Sequence, residues 1–290
     1  MKLDGRRESA NVEDRRRMSD GTAAGIGLGG ILIVGLITLL MGGDLGDVIQ
    51  TVQNVGGMGT ETVDTGNREF TPEEEALAKF SRQILASTED VWSAYFKQNN
   101  IGTYRNPTLV LYTNATATGC GTGQAAMGPF YCSADEKLYI DLSFFSSMKR
   151  SLGADGDFAY AYVIAHEVGH HVQNLVGTLG QAHGKMARMS KTDANRMSVR
   201  IELQADFYSG VWAHYEKAMF GSIEDGDLQE AINCASVIGD DYLQKKSQGY
   251  AVEESFTHGT AAQRMKWLKK GMVTGDMSQG NTFQLSDSQL

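Results

Sequence analysis

The feature that most restricts this chain's fold is the run YVIAHEVGHHVQN, residues 162–174, which gathers three of the six histidines around one glutamate. His166, Glu167 and His170 form the pattern H-E-x-x-H. On a helix, positions four apart share a face. Two imidazoles can therefore meet one metal ion while Glu167, one position round, reaches a water at an open coordination position. His171 lies about 100° round from His170 at 3.6 residues per turn and reads as a structural or supporting residue rather than a ligand.

Two histidines on one helix leave a metal site incomplete, so a second element must supply a ligand and pack against the first. If the third ligand followed the metzincin spacing, Gly and His would stand three and six positions after His170, where the chain has Gln173 and Val176. The run RIELQADFYSG offers Glu202 and Asp206 instead, four apart on one face of a mostly apolar helix. Carboxylates buried without partners are costly, and a metal supplies one. Glu202 is expected as the third ligand, and Asp206 as the acceptor that holds the outer nitrogen of a ligand histidine. Zn2+ suits two histidines, a carboxylate and a water in a tetrahedron. Glu167 is then expected as general base, and later as proton donor to a leaving amine. Farther on, His258 in ESFTHGTAAQRMKWL stands beside a glycine at the start of an expected helix. Two roles stay open for it: donor to a developing oxyanion, or structural histidine at a helix start.

The formal charge of −9 removes nucleic acid as a partner, because a phosphate-binding surface needs a clustered excess of lysine and arginine. Residues 21–43, GTAAGIGLGGILIVGLITLLMGG, carry no charge over 23 positions. That exceeds the ~20 residues a helix needs to cross a bilayer and predicts an uncleaved, single-pass membrane anchor. Residues 1–20 hold five arginines and a lysine, whereas no basic residue follows the span until Arg68. The positive-inside tendency predicts a basic cytoplasmic N-terminus at 1–20 and everything after residue 43 outside the cytoplasm. An oxidising compartment permits a disulfide, and Cys120 and Cys132 in CGTGQAAMGPFYC are the natural pair, leaving Cys234 over. Gly25 and Gly29 have the small-xxx-small spacing of a weak dimer signal.

Residues 44–69, rich in Gly, Thr, Val and Asp, read as a flexible linker, and the folded domain is expected over 70–274. Thr71 as N-cap, Pro72 and the acids after it begin a long helix, with a break expected near Ser87. PTLVLYTN and KLYIDLSFF read as strands flanking the cysteine loop. Residues 157–176, 190–220, 227–248 and 260–270 read as helices, and 275–290 as a polar tail that frays. Strands followed by helices without βαβ alternation indicate an α+β domain.

With these residues in hand, the chain resembles the "putative neutral zinc metallopeptidase" family of bacterial membrane-anchored proteins. NVEDRRR, CGTGQAAMGPFYC, KLYIDLSFF, YVIAHEVGHHVQN, RIELQADFYSGVWA, IGDDYLQ and THGTAAQR carry the resemblance, in that order. It implies a zincin-like fold with His166, His170 and Glu202 on zinc and Glu167 catalytic. The chain departs from the family pattern at Phe207, where cysteine is frequent, and at Cys234, where alanine is. Two functions fit. One is a membrane-tethered zinc endopeptidase acting on polypeptide outside the cytoplasm, with KLYIDLSFF as the edge strand that receives an extended substrate. The other is a zinc-stabilised envelope scaffold or assembly factor. Only three convincing ligands and a carboxylate beside the open position favour the enzyme.

Overall fold

The structure is a computed structural model that describes residues 1–17, 69–224 and 226–290. The expected membrane span at 21–43 and the linker at 44–69, save Glu69, lie outside those residues. No described helix is long and apolar enough to cross a membrane.

The chain enters the domain at once. Strand β1 (Val12–Asp14) pairs in parallel with β2 (Thr108–Tyr112), Val12 opposite Leu109 and Asp14 opposite Leu111. The sheet of the domain, expected to begin at residue 70, therefore takes in a strand from the N-terminal residues. Arg6 meets Glu216 at 2.9 Å, Arg7 meets Glu89 at 2.9 Å, and Arg16 meets Asp14 at 2.6 Å and Glu75 at 3.1 Å. Glu216 and Glu89 are buried, so the N-terminal arginines supply the counter-charges these acids need.

Helix α1 (Pro72–Gln98) starts as its sequence demands, with Thr71 and Glu74 closing a reciprocal capping box. It runs unbroken through Ser87, against expectation. The polar stretch there is buried and partnered: Trp212 Nε1 donates to Ser87 Oγ at 2.8 Å, and Ser9 Oγ donates to Glu89 at 2.6 Å.

After β2 the chain forms a separate two-stranded antiparallel hairpin of β3 (Ala115–Thr118) and β4 (Gly121–Gln124), then returns to the first sheet with β5 (Phe130–Cys132) and β6 (Lys137–Asp141). The four-stranded order is β1-β2-β6-β5, parallel except for β5, which runs antiparallel to β6. β6 is therefore interior, and the edge beyond it is β5, correcting the assignment of KLYIDLSFF as the edge strand. Alternation divides the core: Leu109, Leu111, Leu138 and Ile140 face the helices, while Val110, Tyr112 and Tyr139 pack with Cys132 on the opposite face. The SFF of KLYIDLSFF opens helix α2 (Ser143–Leu152) instead of extending the strand.

Helix α3 (Asp157–Leu175) carries the histidine run and is followed by α4 (Thr178–Met186) and the long α5 (Lys191–Phe220). The helix expected over 227–248 is two, α6 (Asp227–Val237) and α7 (Asp240–Gln248). The break falls at Gly239, where a Cβ would sit 2.2 Å from the Ala261 nitrogen, so backbone proximity to the next segment sets it. Helix α8 (Ala261–Thr274) packs along α5. Residues 275–290 do not behave as a fraying tail: Gly280, Thr282 and Leu290 are buried, and Thr282 Oγ1 donates to the Arg200 carbonyl at 2.7 Å. The observed class is α+β, mostly helical, with small sheets.

Candidate metal centre

The site forms where α3 meets α5. Their backbones approach at Gly169, inside the histidine motif, where a Cβ would lie 2.9 Å from the Ala205 carbonyl oxygen and 3.1 Å from its Cα. That proximity brings Glu202 on α5 level with His166 and His170 on α3. His166 Nε2 stands 3.0 Å from Glu202 Oε2, and His170 Nε2 stands 3.5 Å from Glu202 Oε1. The three potential ligand atoms lie within 4.8 Å of one another.

Both outer nitrogens are engaged. His166 Nδ1 is 2.8 Å from Asp206 Oδ1, and His170 Nδ1 is 2.9 Å from Gln173 Oε1. Asp206, fully buried, also accepts from Tyr162 Oη at 2.6 Å and from Arg264 through Nε at 2.9 Å and Nη2 at 2.9 Å. Arg264 reaches the Ile238 carbonyl as well, at 3.3 Å. Asp206 thus stands against the outer nitrogen of His166. Gln173, Tyr162 and Arg264 had not been singled out. Tyr162 and Gln173 do carry a helical signal, four before His166 and three after His170. Arg264 carries none, since it comes from another helix.

Electrostatics follow from this packing. Burial opposes charge on Asp206, but Arg264 and His166 outweigh it and hold the carboxyl down at about 2. Burial likewise works against Glu202, yet the charges of His170 and His258 and the bond from His166 hold it well below the usual carboxylate range. Burial pushes Glu167 up, opposed by His166 and His170. Two acids kept ionised around two imidazoles whose Nε2 atoms converge form a donor set that fits a divalent cation with nitrogen and oxygen ligands. A second acidic group among the described residues, Asp157, Asp227 and Glu230, offers no histidine nitrogen.

The centre opens into a cleft of about 510 Å³ whose lining includes Glu167, His258 and Arg264. Its apolar lining comes from Phe130 and Tyr131 of β5 and from Leu179, Met186 and Ile201, against which Tyr131 packs. Cys120 and Cys132 are bonded, with Cα atoms 5.8 Å apart, which ties the β3–β4 hairpin to β5; Cys234 is free and buried. His258 reaches the cleft from the loop before α8. That loop is shaped by buried Asp240, whose Oδ2 accepts from the backbone nitrogens of Thr257, His258 and Gly259 at 2.8, 2.7 and 2.9 Å. Asp240 was not foreseen either. His171 turns away from the centre: its Nε2 donates to the Arg105 carbonyl at 2.6 Å, leaving Nδ1 to accept from Tyr131 Oη at 3.0 Å. It fastens α3 to the edge strand. His183, exposed on α4, lies on the cleft rim, whereas His214 bonds the Met272 carbonyl away from it.

The family model described as "Putative neutral zinc metallopeptidase" matches residues 1–283. Among similar proteins, the uncharacterized protein YpfJ of Escherichia coli K12 is 49% identical over 292 residues, covering 98% of this chain and 99% of the relative. The uncharacterized proteins Mb2605 of Mycobacterium bovis and Rv2575 of Mycobacterium tuberculosis are each 40% identical over 194 residues, 63% of this chain and 64% of the relative. No solved structure matches the chain.

Proposed function

Because the chain belongs to the "Putative neutral zinc metallopeptidase" family, we propose that it is a zinc-dependent endopeptidase with a zincin-like arrangement, cleaving polypeptides outside the cytoplasm. The observation that carries this reading is the convergence of His166 Nε2, His170 Nε2 and the Glu202 carboxylate beside a cleft that also holds Glu167. His166, His170 and Glu202 would hold the zinc. Bound there, zinc acts as a Lewis acid that polarises a carbonyl and lowers the pKa of a water to ≈ 7. Glu167 takes the proton of the attacking water and returns it to the leaving nitrogen. His258 donates a hydrogen bond to the oxygen that gains charge. An extended substrate pairs with β5, the antiparallel edge strand that lines the cleft. The raised Glu167 carboxyl suits a base more than a scaffold, which has no use for a carboxylate at that point.

The location belongs to the same proposal. It is supported by the charge-free stretch 21–43, as a membrane anchor, and by the Cys120–Cys132 bond, which an oxidising compartment preserves. The test is Glu167→Gln in the full-length chain. Zinc should remain at about one per chain while cleavage of unfolded polypeptide falls by about 10²-fold or more. Undiminished cleavage by this variant, or a zinc-loaded wild type that cleaves no polypeptide, overturns the reading.

A further inference from the structure

Three side chains, His170, Gln173 and Gln204, connect the centre to the C-terminal segment, and their orientations can be worked out from groups that cannot be turned round. Gln204 Nε2 lies 2.9 Å from the Gly280 carbonyl oxygen, which only accepts, so the Gln204 amide presents Oε1 on its other side. Gln173 Nε2 lies 2.7 Å from the Ile201 carbonyl oxygen and 3.1 Å from Gln204 Oε1. Both neighbours are acceptors, so both Nε2 protons of Gln173 are used and its amide cannot flip. Its Oε1 must then face His170 Nδ1, 2.9 Å away, and can only accept. His170 therefore carries a proton on Nδ1, which leaves Nε2, facing Glu202 and the cleft, as the nitrogen available to a metal ion.

We propose that Gln173 is a positioning residue that fixes the tautomer and ring orientation of His170, as Asp206 does for His166. The two supports differ in kind. Asp206 is a charge neutralised by Arg264, whereas Gln173 is a neutral amide, fully buried, whose direction is set by the Ile201 and Gly280 carbonyls. Since Ile201 precedes Glu202 on α5, the same amide also ties the helix carrying two ligands to the one carrying the third. Gln173 is thus joined through Gln204 to residue 280, in the C-terminal segment.

The inference rests on the zinc reading for its consequence, but not for its measurement. In full-length protein labelled with 15N-histidine, zinc-free at neutral pH, His170 should show a protonated Nδ1 whose proton is held by the Gln173 amide oxygen. An Nδ1 without a proton in the wild type overturns the inference whether or not zinc binds. Gln173→Met keeps the volume and removes the acceptor. Zinc affinity, read by chelator competition, should fall about 10- to 100-fold, as when partners outside a metal's ligands are removed. The His166 Nδ1–H signal should persist. Unchanged zinc affinity and His170 tautomer in a folded Gln173→Met variant refute the proposal. If that variant does not fold, the wild-type tautomer decides. If wild-type protein binds no zinc, the metal reading fails, and the tautomer measurement still tests Gln173.

Discussion

Replacing Arg264 by methionine should unsettle the centre without touching a ligand. The guanidinium is buried and bonds both oxygens of Asp206 at 2.9 Å, and it also approaches Tyr162 Oη at 3.3 Å. Removing one member of a buried ion pair leaves the other uncompensated, which costs roughly 3–5 kcal/mol. A second route gives a similar order. Asp206 sits at about 2 instead of its ordinary 3.8, which corresponds to about 2 kcal/mol of native stability at neutral pH, Arg264 being the chief favourable contributor. For a domain of this size, 3–5 kcal/mol lowers the melting temperature by roughly 6–20 °C. The pH dependence carries its own sign. Because the folded value is depressed, the contribution is complete above 3.8 and disappears as pH falls through about 2, so wild type and variant should converge over that window. Calorimetry of zinc-free protein at pH 7 and under acid checks both. A melting temperature within about 2 °C of wild type at pH 7 would refute the role given to the pair.

Three further outcomes test other parts of the site. Gly169→Ala should push α3 from α5, costing about 1–3 kcal/mol by overpacking and weakening zinc binding, read by denaturant titration and chelator competition. Asp240→Ala removes the acceptor of three backbone N–H groups and should lower polypeptide cleavage with zinc content unchanged, separating the His258 loop from the metal ligands. Reducing the Cys120–Cys132 bond should cost about 3 kcal/mol in the chain-entropy model and speed backbone hydrogen exchange in β5, measured segment by segment.

What could be read from the chain was what helical periodicity controls. His166 and His170 share a face because they are four apart, and so do Glu202 and Asp206; the meeting of the two pairs follows once both helices are granted. Arg264 escaped because it stands 58 residues from Asp206 on another helix, where spacing carries no geometric information. Ser87 looked like a breaker for a related reason: its partners Trp212 and Glu216 are more than a hundred positions away. β1 is three residues, VED, too short and polar for a strand pattern, and holds its place through the ladder to β2 and its ion pairs. The error over KLYIDLSFF has a general cause. Strands covered on both faces read as continuous apolar runs, so Leu138-Tyr139-Ile140 mark the interior of the sheet, whereas an edge strand is free to be brief, as β5 is.

The docking of β1 makes the N-terminal segment a clasp on the folded body. The Arg17 guanidinium carbon lies 5.0 Å from the centre of the Phe70 ring, and that of Arg16 lies 3.9 Å from it, so the clasp also closes over the residue just before the α1 cap. Without residues 12–14, β2 would become the sheet's edge, and buried Glu89 and Glu216 would lose Arg7 and Arg6. Order in the first seventeen residues and stability of the body they grip are therefore one property.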